Sequence, residues 1–150
     1  MDAVTYPQEE VISFVMAYLI PLRIDVSDES AYENFHAFWT PTLAIIDTHG
    51  HGIQRVIGFY QPVELLATLC LGIAKARLSD GDHDTAEVQL SRLLDQFPES
   101  GMIPEAIFFR GVNRYKMKND PVQLKQAYEK LTADYPDSPW TKRAAPYRLI

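Results

Sequence analysis

The sequence predicts an α/β unit of about three strands followed by an all-α region of helical hairpins, and three observations carry that prediction. The run Phe38-Trp39-Thr40-Pro41-Thr42-Leu43-Ala44-Ile45-Ile46-Asp47 leads a proline directly into a short apolar strand. Proline cannot donate to a sheet ladder, so it belongs at or just before a strand's first residue, where a cis bond also costs least. Leu22-Arg23-Ile24-Asp25-Val26 alternates apolar and polar residues, the period of a half-buried strand. Beyond residue 62 the period turns helical, and Leu93, Phe97, Pro98, Glu99, Ser100 and Ala106 recur as Leu131, Tyr135, Pro136, Asp137, Ser138 and Ala144, each displaced by 38 positions.

Taken in order, Thr5 is the expected N-cap of a first helix, with Pro7 in its first turn and Glu9 and Glu10 complementing its positive end. Val11, Ile12, Phe14, Val15, Tyr18 and Leu19 form its expected inward face. Pro21 sets off the strand Leu22–Val26. Ser27 to Phe38 reads as a short helix capped by Ser27 or Asp28, with Tyr32, Phe35 and Phe38 on one face. After the Pro41-led strand, Thr48-His49-Gly50-His51-Gly52 is a turn into a second strand, Ile53 to Phe59, which completes a hairpin. Pro62 then opens a helix in which Val63, Leu66, Leu69, Cys70 and Ile73 repeat at helical spacing. Helices over 63–79, 84–97, 103–118, 121–135 and 139–148 follow, punctuated by Pro98, Pro104, Pro136 and Pro139.

Residues 5 to about 78 resemble the thioredoxin fold from its first long helix onward. The resemblance makes Pro41 the cis-proline, Gly58 the end-of-strand glycine and Asp25 the residue that closes the strand after the first helix. It also implies that the loop Trp39-Thr40-Pro41-Thr42 presents backbone groups to an extended peptide. The family's Cys-x-x-Cys pair and the strand before it are not found in these residues. In the resembling fold that strand lies between Leu22–Val26 and Leu43–Ile46, so its loss leaves two facing edges to satisfy. Two outcomes are expected: direct pairing of those strands in a three-stranded sheet, or a strand donated by a second chain in a homodimer.

The 38-residue repeat is similar to tetratricopeptide hairpins, in which helix, turn, helix and a closing proline recur at periods in the thirties. Gly81, Ala86, Leu90 and Pro98 stand at that family's turn glycine, small, bulky and proline positions. The second copy supplies Tyr115, Tyr128 and Pro136, but Asn119-Asp120-Pro121 replaces the turn glycine and Leu124 the small alanine. The expected organisation is a thioredoxin-like unit, incomplete at its N-terminus, over 1–79 and tetratricopeptide-like repeats over 63–150, sharing the 63–79 helix.

A net charge of −6 argues against a nucleic-acid or anionic-membrane partner, both of which want clustered Lys and Arg. No run of about 20 apolar residues is present, and the acidic start is unlike a signal peptide, so the expected location is cytoplasmic. A natural form that began further upstream would open the periplasm as an alternative.

Few residues suggest chemistry. His49 and His51, with Asp47 as the one nearby carboxylate, fall short of the three or four ligands a transition metal wants, and a solvated turn explains them better. His36 and His83 show no evident partner in the sequence and read as surface or helix-flank residues. Cys70, the single cysteine, sits mid-helix among Leu66, Leu69, Leu71 and Ile73 and reads as a small core residue. Asp80-Gly81-Asp82-His83-Asp84 resembles a calcium loop but has Ser91 where the bidentate glutamate belongs. No metal site and no cofactor are expected. Trp39 either lines a peptide site or packs over the sheet edge, and Phe108, Phe109, Tyr115 and Tyr128 either line a repeat groove or fill the space between helix pairs.

The favoured function is a protein-interaction module on a redox-inactive scaffold, with a protein or extended peptide as partner, since thiol exchange needs an attacking and a resolving thiol. The alternative is the C-terminal part of a thiol-disulfide oxidoreductase whose Cys-x-x-Cys lies upstream of Met1. A third reading, a purely structural helical-repeat adaptor, expects a trans Pro41 and a buried Trp39.

Overall fold

The computed structural model describes residues 1–28, 33, 35 and 37–150. In order, the elements are α1 (Glu9–Tyr18), β1 (Thr42–Ile46), β2 (Gly52–Ile57), α2 (Pro62–Asp80), α3 (His83–Gln96), α4 (Ile103–Lys118), α5 (Val122–Asp134), α6 (Pro139–Ala144) and a 3-10 helix (Ala145–Leu149). The chain divides into two compact units, Met1–Leu66 and Ala67–Ile150, and the division falls within α2.

In the first unit α1 starts later than the cap residue suggested. Thr5 is fully buried and donates its hydroxyl to the Tyr60 carbonyl at 2.6 Å, so that oxygen is spent on a distant partner and Gln8 precedes the helix without a side-chain cap. Val11 and Phe14 are the residues α1 buries, while Ile12 and Tyr18 of the expected inward face are exposed. β1 and β2 pair antiparallel from Thr42↔Ile57 to Ile45↔Gln54, then shift register before Ile46↔Gly52. Gly58, with a φ of 101°, closes the pair by donating its N–H to the Pro41 carbonyl at 2.9 Å.

About three strands were expected; the described residues hold a two-stranded sheet. Leu22–Val26 is not a strand, because alternation makes a segment fit to pair and only a partner makes it a ladder. The expected helix over Ser27–Phe38 falls largely outside the described residues.

The second unit is built from hairpins whose repetition reaches individual bonds. Phe97 donates its N–H to Leu93 at 3.0 Å and Tyr135 to Leu131 at 2.9 Å; Ser100 donates to Phe97 and Ser138 to Tyr135, each at 3.0 Å. The Ser100 hydroxyl then accepts the Met102 N–H, and the Ser138 hydroxyl accepts the Trp140 N–H. Leu93, Leu131, Ala106 and Ala144 are all fully buried at matching places. Burial of each such leucine is worth about 1.5–3 kcal/mol. Gly81 takes a φ of 78° at the first turn, and Asn119, 38 positions on, takes 51° at the second. Asn tolerates the left-handed region better than other side-chain-bearing residues, which is why the turn survives loss of its glycine.

Where the first hairpin has the small residue Ala86, the second has Leu124, and close approach is achieved elsewhere. A Cβ added to Gly111 of α4 would lie 2.5 Å from the Ala127 Cβ of α5. The last expected helix, 139–148, breaks into α6 and the 3-10 helix, since Pro146 has no amide to continue the ladder. Ala67 to Ala74 of α2 are buried without interruption.

Candidate functional site

Between α3, α4 and α5 lies a groove of about 200 Å³. Ile107, Arg110, Gly111 and Arg114 line it from α4, and Gln123, Gln126, Ala127 and Lys130 from α5. Both sets are spaced i, i+3, i+4, i+7, so each is one face of a helix. Leu94 of α3 joins Ile107 and Ala127 as its apolar surface. The absence of a side chain at Gly111 lets α4 and α5 approach and shapes this space.

The arginines are held by a network. Glu87 Oε1 accepts from Arg110 Nε at 2.9 Å and from Arg114 Nε at 2.8 Å, and its Oε2 accepts from Asn113 Nδ2 at 3.2 Å. Burial raises the Glu87 pKa, but the hydrogen bonds from both arginines and Asn113, with the Arg114 charge, outweigh it and hold the carboxyl below its ordinary 4.5. Asn113, fully buried, also donates to the His83 carbonyl at 3.0 Å, and its Oδ1 lies 3.0 Å from His83 Nδ1. His83 therefore has a partner that its sequence neighbourhood did not reveal. Two guanidinium groups face one carboxylate, leaving one net positive charge on the groove wall, and Lys130 reaches Asp134 at 2.9 Å on the same rim.

Phe108, Tyr115 and Tyr128 are half-buried, and other residues line this groove. Phe108 stacks at 5.9 Å on Tyr147 and lies 5.2 Å from Trp140, within a cluster that includes Phe109. Arg143 lies over the Trp140 ring at 4.4 Å and Lys75 over Phe109 at 5.3 Å, the latter also bonded to Glu105 at 3.0 Å. Arg110, Arg114 and Lys130 carry no motif that marks them in the sequence beyond their helical spacing with Gly111 and Ala127.

In the first unit the Thr40–Pro41 peptide is cis. Trp39 is 65% exposed, and the Thr42 hydroxyl donates to its carbonyl at 2.6 Å. Val26, Phe38, Trp39 and Thr40 line an open slot of about 310 Å³ beside the β1 entrance. Asp47 organises the hairpin turn: its Oδ1 accepts from His49 and His51 backbone amides, each at 2.8 Å, and its Oδ2 meets His51 Nδ1 at 3.0 Å. Burial of that carboxyl is outweighed by these bonds, and its pKa is lowered. Among the described residues no three His, Cys, Asp or Glu side chains converge on a metal-sized space. Asp82 caps α3 by accepting the Thr85 N–H at 3.1 Å, and His36 lies outside the described residues. Cys70 is fully buried, and burial pushes its thiol up to about 12.

Residues 71–100, covering the later part of α2, the Gly81 turn and α3, match the tetratricopeptide repeat family model. Comparison with curated proteins and with solved structures finds no match. No described helix is long and apolar enough to cross a membrane. The match and the mostly helical second unit support a helical-repeat module of the protein-interaction kind.

Proposed function

We propose that the helical unit binds an extended, acidic segment of a partner protein in the groove between α3, α4 and α5. The observation that carries this is the pairing of Arg110, Arg114 and Lys130 with Gln123 and Gln126 around the apolar surface of Leu94, Ile107 and Ala127, in a chain whose net charge is −6. Glutamine amides supply donors and acceptors for a peptide backbone, and arginine forks take carboxylates in two-point contact. The exposed halves of Phe108, Tyr115 and Tyr128 would offer apolar contacts outside the groove. Titration of fluorescent acidic, neutral and basic decapeptides tests the reading. Acidic peptides should bind tightest, Arg114→Gln should weaken them several-fold, and added salt should weaken them further. Equal binding of basic peptides, or no response to Arg114→Gln, would contradict it.

A second reading is favoured by the exposed Trp39 beside its slot. On a thioredoxin-like scaffold without thiol chemistry, Trp39, Thr40, Pro41 and Thr42 would receive an extended peptide; in a longer natural form carrying an upstream Cys-x-x-Cys, the same loop would face the thiols. Peptide-dependent Trp39 fluorescence in a Trp140→Phe background tests it, and unchanged emission with every bound peptide would refute it.

A further inference from the structure

The lining of the α3–α4–α5 groove is one-sided in charge: Arg110, Arg114 and Lys130 contribute to it, and no Asp or Glu does. Glu87, which gathers the two arginines, is not part of that lining. Its Oε1 accepts from Arg110 Nε at 2.9 Å and, on Arg114, from Nε at 2.8 Å and Nη2 at 2.7 Å. Two arginines bonded to one oxygen have their Nε atoms within two hydrogen-bond lengths of each other, so the guanidinium groups are neighbours before any ligand arrives. Each guanidinium carries five N–H groups, and this arrangement leaves most of them over. Both Nη groups of Arg110, and Nη1 of Arg114, have no acceptor among the described residues. Lys130 is shared with Asp134, and Gln123 gives its amide to Asp120 at 3.0 Å, so the arginine Nη groups are the strongest uncommitted donors of the groove.

We infer that the anion this pair takes is a phosphate monoester, a phosphoserine or phosphothreonine carried by the partner protein. The inference rests on the groove's binding an acidic segment, and it names the group within that segment that the arginines hold. A carboxylate has two oxygens in one plane and fits one guanidinium fork. Arg110 and Arg114 stand one turn apart on α4 and offer two forks side by side. A phosphoryl group has three terminal oxygens set tetrahedrally and close to two charges at neutral pH, so it accepts from both forks at once. Leu94, Ile107 and Ala127 put apolar surface beside the pair, where charge contacts are screened less than on an open surface. Glu87 is then a positioning residue: it spends the Nε edges of both arginines and leaves their Nη groups for the ligand.

Fluorescence anisotropy of the full chain with three acidic decapeptides, identical except for serine, glutamate or phosphoserine at one central position, tests the assignment. The phosphoserine peptide should bind at least about tenfold tighter than the glutamate peptide, the factor that one added charge-assisted hydrogen bond supplies. Arg110→Lys and Arg114→Lys keep a cation opposite Glu87 but lose the fork, and each should cut that preference several-fold. A pH series on the unaltered chain needs no variant. Phosphate takes up its proton near about 6 and carboxylates near about 4, so the preference should shrink between pH 7.5 and 5.5 while the glutamate peptide, measured on the same protein, accounts for the protein's own groups. Equal binding of the phosphoserine and glutamate peptides overturns the inference and leaves the acidic-segment reading standing; failure of both to bind overturns both. A preference that survives the two lysine variants, or that is unchanged at pH 5.5, also overturns it. So does inorganic phosphate competing as well as the phosphopeptide, since the segment would then contribute nothing.

Discussion

Gly111→Ala sets two effects of known size against each other. In an unobstructed helix interior alanine is favoured over glycine by about 1 kcal/mol, because less backbone freedom is lost on folding. At Gly111 the new methyl would sit 2.5 Å from Ala127 Cβ and 3.2 Å from the Gln123 carbonyl oxygen. Ordinary carbon contacts are about 3.5–4.0 Å, so α4 and α5 must part by about 1 Å. Overpacking costs about 1–3 kcal/mol, and neither a methyl nor a backbone carbonyl can rotate away, which places this case in the upper half of that range. The net effect expected is a loss of about 1–2 kcal/mol, or roughly 4–8 °C in Tm per kcal/mol for a unit of this size. Urea titration followed by far-UV circular dichroism measures it. The exchanged pair G111A/A127G should recover most of the loss, since one methyl then occupies the contact again. If Gly111→Ala instead stabilised the protein by the full helix-propensity gain, the two helices could not approach as described, and the groove built on that approach would lose its shape.

Three further outcomes follow from the same unit. Asn113→Ala should cost about 2–3 kcal/mol in urea titration, because the His83 carbonyl and Glu87 Oε2 lose a buried donor. Glu87 has a folded pKa below its ordinary 4.5, so its contribution is complete above 4.5 and disappears as pH falls through the folded value; the stability gap between wild type and Glu87→Gln should be widest near neutrality and close on acidification below 4.5, read from urea midpoints across a pH series. Cys70, with its thiol pushed up to about 12, should resist alkylation in the native protein at pH 8 and react only once urea unfolds the chain, as followed by mass spectrometry.

Local punctuation was readable in the sequence, and distant partnership was not. Leu93, Phe97, Ser100 and their counterparts 38 positions on repeat because cap hydroxyls, the residues before prolines and buried leucines act within a turn or two of themselves. The left-handed turn at Asn119 replaces a glycine by the same local rule. Thr5 looked like a cap, but its hydroxyl is used by Tyr60, 55 residues away. Leu22–Val26 had the alternation of a strand, yet a ladder is a property of two segments, and no described residue pairs with it. The groove was legible in principle, since Arg110, Gly111 and Arg114 face Gln123, Ala127 and Lys130 at matched helical spacing. What the spacing could not show is that Glu87 of a third helix gathers both arginines.

The most direct measurement is backbone amide NMR of the full chain titrated with an acidic decapeptide. Shifts concentrated at Arg110, Gly111, Arg114, Gln123, Gln126 and Lys130, needing several-fold more peptide to saturate in Arg114→Gln, are the predicted result. Saturable binding with those amides unmoved would place the partner elsewhere and contradict the assignment of the α3–α4–α5 groove.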